Sequence, residues 1–103
     1  MAKDALVRHF FGGFIRLHIL YHAAEGTVCG IEMIDELKRH GYKLSPGTLY
    51  PILHHLEASG YLAAEEKTVA GKRRKNYRIT RKGERLMDEA KSKLRELFAE
   101  VID

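Results

Sequence analysis

Apolar residues recur at helical spacing over most of the chain, broken by one stretch where they alternate. From Asp4 to about Ala24, Phe10, Phe11, Phe14, Ile15, Leu17, Ile19, Leu20 and Tyr21 surround most of a helix circumference. Such a helix is expected to be buried on more than one side. Gly12 and Gly13 each weaken it by ~1 kcal/mol relative to alanine, so a bend or a later start is expected there. Gly26 follows as a helix-ending glycine.

A second helix is predicted over Gly30 to His40. Ile31, Ile34 and Leu37 form its inward stripe, with Met33 beside them. Lys38, Arg39 and His40 complement the dipole at its C-terminus, and Gly41 stops it. The third helix starts at Ser45, whose hydroxyl is expected to accept from a free backbone N–H, with Pro46 at the first helical position. Leu49, Ile52, Leu53 and Leu56 recur at i, i+3, i+4, i+7, so that face is core. The opposite face holds Gly47, Pro51, His54 and Ala58, flanked by Tyr50 and His55. Pro51 sits in the second turn, where it removes one backbone bond and a slight kink is expected. Gly60 ends this helix.

The period then changes. Tyr61 to Val69 reads as a strand, Ala70-Gly71 as a turn, and Lys75 to Thr80 as the returning strand. On that reading the hairpin tip carries Lys72, Arg73, Arg74 and Lys75. Thr80 then caps a last helix with apolar residues at Leu86, Met87, Ala90, Leu94, Leu97, Phe98, Val101 and Ile102. The spacing 87, 90, 94, 97, 101 is that of a heptad seam. A terminal helix of this kind has little of its own domain to pack on, and a second chain is the natural place for its stripe.

The predicted fold class is therefore mainly α with a small β-hairpin wing. It comprises a winged helix-turn-helix over residues 1–80 and a C-terminal dimerisation helix over 81–103. Phe10, Phe11, Phe14, Leu86, Met87, Ala90, Leu94, Leu97, Phe98 and Val101 are the expected homodimer interface.

Composition narrows the function. The chain has 103 residues, no apolar run near the length of a membrane span, and after Met1 to Asp4 an apolar stretch broken by Gly12, Gly13, Arg16 and His18, unlike the core of a signal peptide. A cytoplasmic, soluble domain is expected. Cys29 is the single cysteine and reads as a small buried hydrophobe. Net charge is +4, and its distribution matters more than its total: nine of the eighteen Lys and Arg lie between Lys67 and Arg85, against one of the fourteen acids. A charge so localised is a candidate footprint of a polyanion partner, the alternative being a solvated loop, and its position in the fold decides between them.

In a helix-turn-helix the second helix enters the major groove with its N-terminal residues on the base edges. The expected DNA-binding residues are therefore Ser45, Gly47, Thr48, Tyr50, Pro51, His54 and His55. Small residues at 45–48 allow close backbone approach. Lys72, Arg73, Arg74 and Lys75 are expected to contact phosphate or enter a minor groove. The expected partner is double-stranded DNA.

Leu44-Ser45-Pro46-Gly47-Thr48-Leu49-Tyr50-Pro51-Ile52-Leu53, then Leu56-Glu57, Gly60, Gly71 to Thr80 and Gly83 resemble the PadR-like transcriptional regulators. The resemblance covers nearly the whole chain, in the form of the family's smaller members with one C-terminal helix. It implies a homodimer built by the first and last helices, a palindromic operator, repression, and in some members a phenolic acid or drug near the dimer interface, so a small aromatic effector is an expected partner. The chain departs from the family at three points. Ile31 follows Gly30 where an aromatic residue is common, His54 and His55 stand where arginines are common, and Leu94 lies near the tryptophan of drug-binding members.

Two other classes of protein fit the sequence less well. An enzyme would need a nucleophile–base pair or a phosphate loop, and neither is visible. His18 and His22 are four apart, a zinc-chelating spacing, but the sequence offers no evident third ligand, so no metal or other cofactor is assigned. A winged helix serving only as a protein-interaction module would have no need of four cations in its wing.

Overall fold

The computed structural model describes residues 4–102. Met1 to Lys3, read above for a signal segment, and Asp103 lie outside the described residues. The elements are α1 (Ala5–Glu25), β1 (Val28–Cys29), α2 (Gly30–Arg39), α3 (Pro46–Ala58), β2 (Leu62–Val69), β3 (Lys72–Ile79) and α4 (Arg81–Val101). No helix among the described residues is long and apolar enough to cross a membrane.

The helix α1 runs unbroken through Gly12 and Gly13. It begins at Asp4, whose carboxylate accepts from the Leu6 N–H at 2.7 Å. Within it the Arg16 guanidinium donates to the Gly12 carbonyl at 3.0 Å. Both α2 and α3 end the same way. The Gly41 and Tyr42 N–H groups return to the Lys38 and Leu37 carbonyls, and those of Gly60 and Tyr61 return to Glu57 and Leu56. This double closure needs a left-handed residue just past the helix, and Gly41 (φ +89°) and Gly60 (φ +86°) supply it.

The core is made by Ile19, Leu20 and Ala23 of α1, Met33 and Leu37 of α2, Leu49, Leu53 and Leu56 of α3, Leu62 of β2 and Tyr77 of β3. The inward stripe of α2 is Gly30, Met33 and Leu37. Ile31, expected inside, is 63% exposed. Its position one residue past Gly30 rotates it by about 100°, out of the seam that Met33 and Leu37 define. Ile52 is only partly buried.

The sheet has three strands, in the order β1-β3-β2, all antiparallel. The hairpin was expected, but β1 was not: two residues carry no periodicity, and only pairing of Val28 with Tyr77 and Cys29 with Asn76 defines them. Val69 pairs with Lys72, so the loop is Ala70-Gly71 alone. Both residues have positive φ, +52° and +78°, the requirement of a two-residue hairpin turn that follows the strand twist. This corrects the expected hairpin tip. Lys72, Arg73, Arg74 and Lys75 are not the loop but the first four residues of β3, so their side chains alternate between the two faces.

The last helix is clipped to the end of α3. The Thr80 hydroxyl accepts from the Gly83 N–H at 3.1 Å and donates to the Gly60 carbonyl at 2.6 Å. Lys82 donates to the Ser59 carbonyl at 2.6 Å and lies over the Tyr61 ring, 4.6 Å from its centroid. Leu86 and Met87 pack against the core, so the first two turns of α4 do find cover in their own domain. Beyond Ala90 the stripe is bare.

Candidate nucleic-acid interface

The turn from Gly41 to Ser45 sets α3 across α2, with Leu49, Leu53 and Leu56 buried. That commitment leaves Gly47, Thr48, Pro51, His54 and His55 exposed. At 100° per residue, Gly47, Pro51 and His54 lie at the middle of the outer face. Ser45 is exposed at the cap, but its hydroxyl does not close onto the first turn as expected. It donates instead to the Thr48 hydroxyl at 3.3 Å, while the Thr48 and Leu49 N–H groups both use the Ser45 carbonyl. An alanine side chain at Gly47 would meet nothing nearer than Ser45 Oγ, at 3.8 Å. The protein's own packing therefore leaves this position open.

Two of the expected contact residues are turned aside. Tyr50 is half-buried, its ring packed against Gly30 at the start of α2, so its hydroxyl is no free arm. His55 lines an apolar cleft between α1 and α4, together with Phe10, Phe14, Leu17, Leu56 and Leu86.

The four cations of β3 divide into two pairs. Arg73 is bonded to Glu66 at 2.8 Å and Lys75 to Glu57 of α3 at 2.8 Å. The carboxylate beside Lys75 raises its pKa above the ordinary lysine value. Lys72 and Arg74 make no ion pair among the described residues and are exposed. The Lys75–Glu57 pair ties the hairpin to α3, so α3 and the hairpin present one continuous surface. Ile31, which sequence reasoning placed in the core, belongs to that surface, in a shallow hollow it shares with Tyr50 and residues 73–75.

At the helix start behind this surface, Cys29 is buried and its N–H donates to Glu32 Oε1 at 2.9 Å. That hydrogen bond holds the Glu32 carboxyl below the usual carboxylate range.

The expected interface residues on α1 and α4 form two bare apolar faces. Phe10 packs edge-on against Phe11 and Phe14, with centroids 5.3 and 5.1 Å away, and Phe10 and Phe11 are exposed. Leu94, Leu97, Phe98 and Val101 are exposed as well, Phe98 at 56%.

Comparison with known proteins bears on the family and the fold. Residues 19–89 match the model of the "Transcriptional regulator PadR-like family". The chain is 48% identical to "Transcriptional regulator Rv3488" of Mycobacterium tuberculosis over 96 residues, 93% of this chain and 90% of that protein. A crystal structure of a PadR-like transcription factor from Bacteroides fragilis superposes with a TM-score of 0.83 at 27% identity, covering 95% of this chain and 96% of that one. A PadR family regulator from Eggerthella lenta gives 0.80 at 30% identity, over 94% and 86% of the two chains. This chain belongs to the PadR-like family of transcriptional regulators, which regulate transcription rather than catalyse a reaction.

Proposed function

We propose that this regulator binds double-stranded DNA as a homodimer, places α3 in the major groove of each half of a palindromic operator, and represses transcription there. The observation that carries this reading is the continuous surface of α3 and β3. It carries the exposed residues Gly47, Thr48, Pro51 and His54 on α3 and the exposed cations Lys72 and Arg74 on β3. The first group suits base edges and close approach, the second phosphates. The cytoplasm is its place of action.

The second chain is expected to cover Phe10, Phe11 and Phe14 of α1 and Ala90, Leu94, Leu97, Phe98 and Val101 of α4, with Leu86 and Met87 at the inner edge. These residues form contiguous apolar surface of the kind that marks an interface. Residues 1–80 then act as the DNA-binding unit and 81–103 as the dimerisation helix. The cleft beside this face, about 430 Å³ and lined by Phe10, Phe14, Leu17 and Leu86, is the proposed seat of a small aromatic effector that releases the operator.

Selection of bound fragments from random duplex DNA with the purified protein tests the central reading. Recovery of an inverted repeat is the expected result. Fragments bound without any shared sequence would overturn it.

A further inference from the structure

We propose that His18, His22 and His40 form a binding site for a divalent first-row transition-metal ion of the zinc type, joining α1 to the end of α2. His18 and His22 lie one turn apart on α1. His40, twenty-two residues from His18 in sequence, is the C-cap of α2. The fold brings it over the other two, so the ring centroid of His18 is 4.2 Å from that of His40, and His22 is 5.9 Å from His40. One imidazole nitrogen from each residue lies within 4.8 Å of the other two. Three nitrogens around a tetrahedral zinc, each at about 2.0–2.1 Å, stand roughly 3.4 Å apart. Small rotations of the rings close that gap, and His40, on the surface, is free to make them.

Two further features fit an ion and have no role in DNA contact. His22 Nε2 is shut off from solvent with no hydrogen-bond partner, and a buried polar atom left unpaired is costly. A metal ion supplies the missing partner. Glu36 Oε2 stands 3.7 Å from that same nitrogen, placed as a nearby carboxylate that orients the ligand or takes the fourth position. Three imidazoles suit zinc, copper and nickel in preference to magnesium or calcium. The site is also well separated in sequence from the α3 face and β3 cations, so metal loading and DNA contact use different residues.

The test uses tag-free full-length protein and zinc chloride, read by isothermal titration calorimetry and by the thermal midpoint. Wild type is expected to bind one zinc per chain and to melt higher with zinc, since an ion bound only by the folded state stabilises it. Loss of a partner outside the ligand set already costs about 10- to 100-fold in metal affinity. His40→Asn and His18→Gln are therefore each expected to weaken binding at least tenfold. His9→Asn, on the exposed N-terminal half of α1, should bind as wild type does. Far-UV dichroism and the zinc-free midpoint verify that each variant is folded. His40 carries the test should His18→Gln lose its structure, because the His40 side chain is exposed. No zinc uptake by wild type at micromolar protein, or uptake unchanged in folded His40→Asn, would overturn the proposal.

Discussion

The ring of Tyr50 lies so close to Gly30 that a Cβ on that glycine would fall 2.6 Å from both Tyr50 Cε1 and Oη. The helix α3 is thus seated on the first residue of α2 through an aromatic edge, and Gly30 is required for its lack of a side chain. Gly30→Ala should force the ring aside and destabilise the fold by ~1–3 kcal/mol, the cost of overpacking. In the double variant Gly30→Ala, Tyr50→Leu the two losses should be less than additive. Denaturant melts of the four proteins in this cycle check the prediction, and strictly additive losses would show that the contact does not limit position 30.

A substitution at Gly47 is expected to separate folding from binding. Within the chain an alanine there has room, and alanine is favoured over glycine in a helix by up to ~1 kcal/mol. Gly47→Ala should therefore melt no lower than wild type yet bind the operator more weakly, because the added methyl stands between backbone and groove. A combined loss of stability and binding would place the defect in the fold. His54→Ala, at the same face, should weaken operator binding by ~1–3 kcal/mol with little change on random DNA if it reads a base.

The division of the wing cations predicts unequal effects. Each phosphate contact contributes about 0.9 to the slope of log affinity against log salt. Lys72→Ala and Arg74→Ala should each flatten that slope by about one unit. Lys75→Ala should act differently, loosening the hairpin from α3 by breaking the bond to Glu57 and broadening the amide signals of the wing. Equal slope changes in all three variants would mean that the Lys75–Glu57 pair opens on binding.

Leu94 and Phe98 are 41% and 56% exposed on the single chain, so charge there disturbs no core contact. Leu94→Glu with Phe98→Glu should give a folded monomer in sedimentation at micromolar concentration. A dimer that survives both changes would move the interface elsewhere.

The Glu32 carboxylate accepts from the Cys29 N–H and so closes the first turn of α2. Its pKa is held below the ordinary value, so the folded state favours the charged form. The contribution is present above the unfolded value of about 4.3 and is lost as pH falls through the lower folded value. Glu32→Ala should cost up to about 1 kcal/mol at neutral pH, the scale of a helix cap. The gap from wild type should shrink as pH falls below about 4. A gap constant down to pH 2 would show that the carboxylate charge is not involved.

The sequence by itself determined the succession of elements and much of which face of α3 is left exposed. The stop at Gly41, the start at Pro46, the cap at Thr80 and the turn at Ala70-Gly71 are all local chemistry, set by residues within a few positions of one another. The i, i+3, i+4, i+7 pattern of Leu49, Ile52, Leu53 and Leu56 likewise left only one face of α3 open. What the tertiary structure decided is non-local. A two-residue strand such as β1 exists only through its pairing with Tyr77 and Asn76. The placement of Lys72 to Lys75 in β3 rather than in the loop follows from register, and register depends on the partner strand. Ile31 faces out because the seam of α2 is chosen by what Met33 and Leu37 meet. The hydroxyl of Ser45 goes to Thr48, and Tyr50 is held by Gly30, twenty residues away. His40 joins His18 and His22 only when α2 is laid against α1, a proximity that no spacing along the chain encodes.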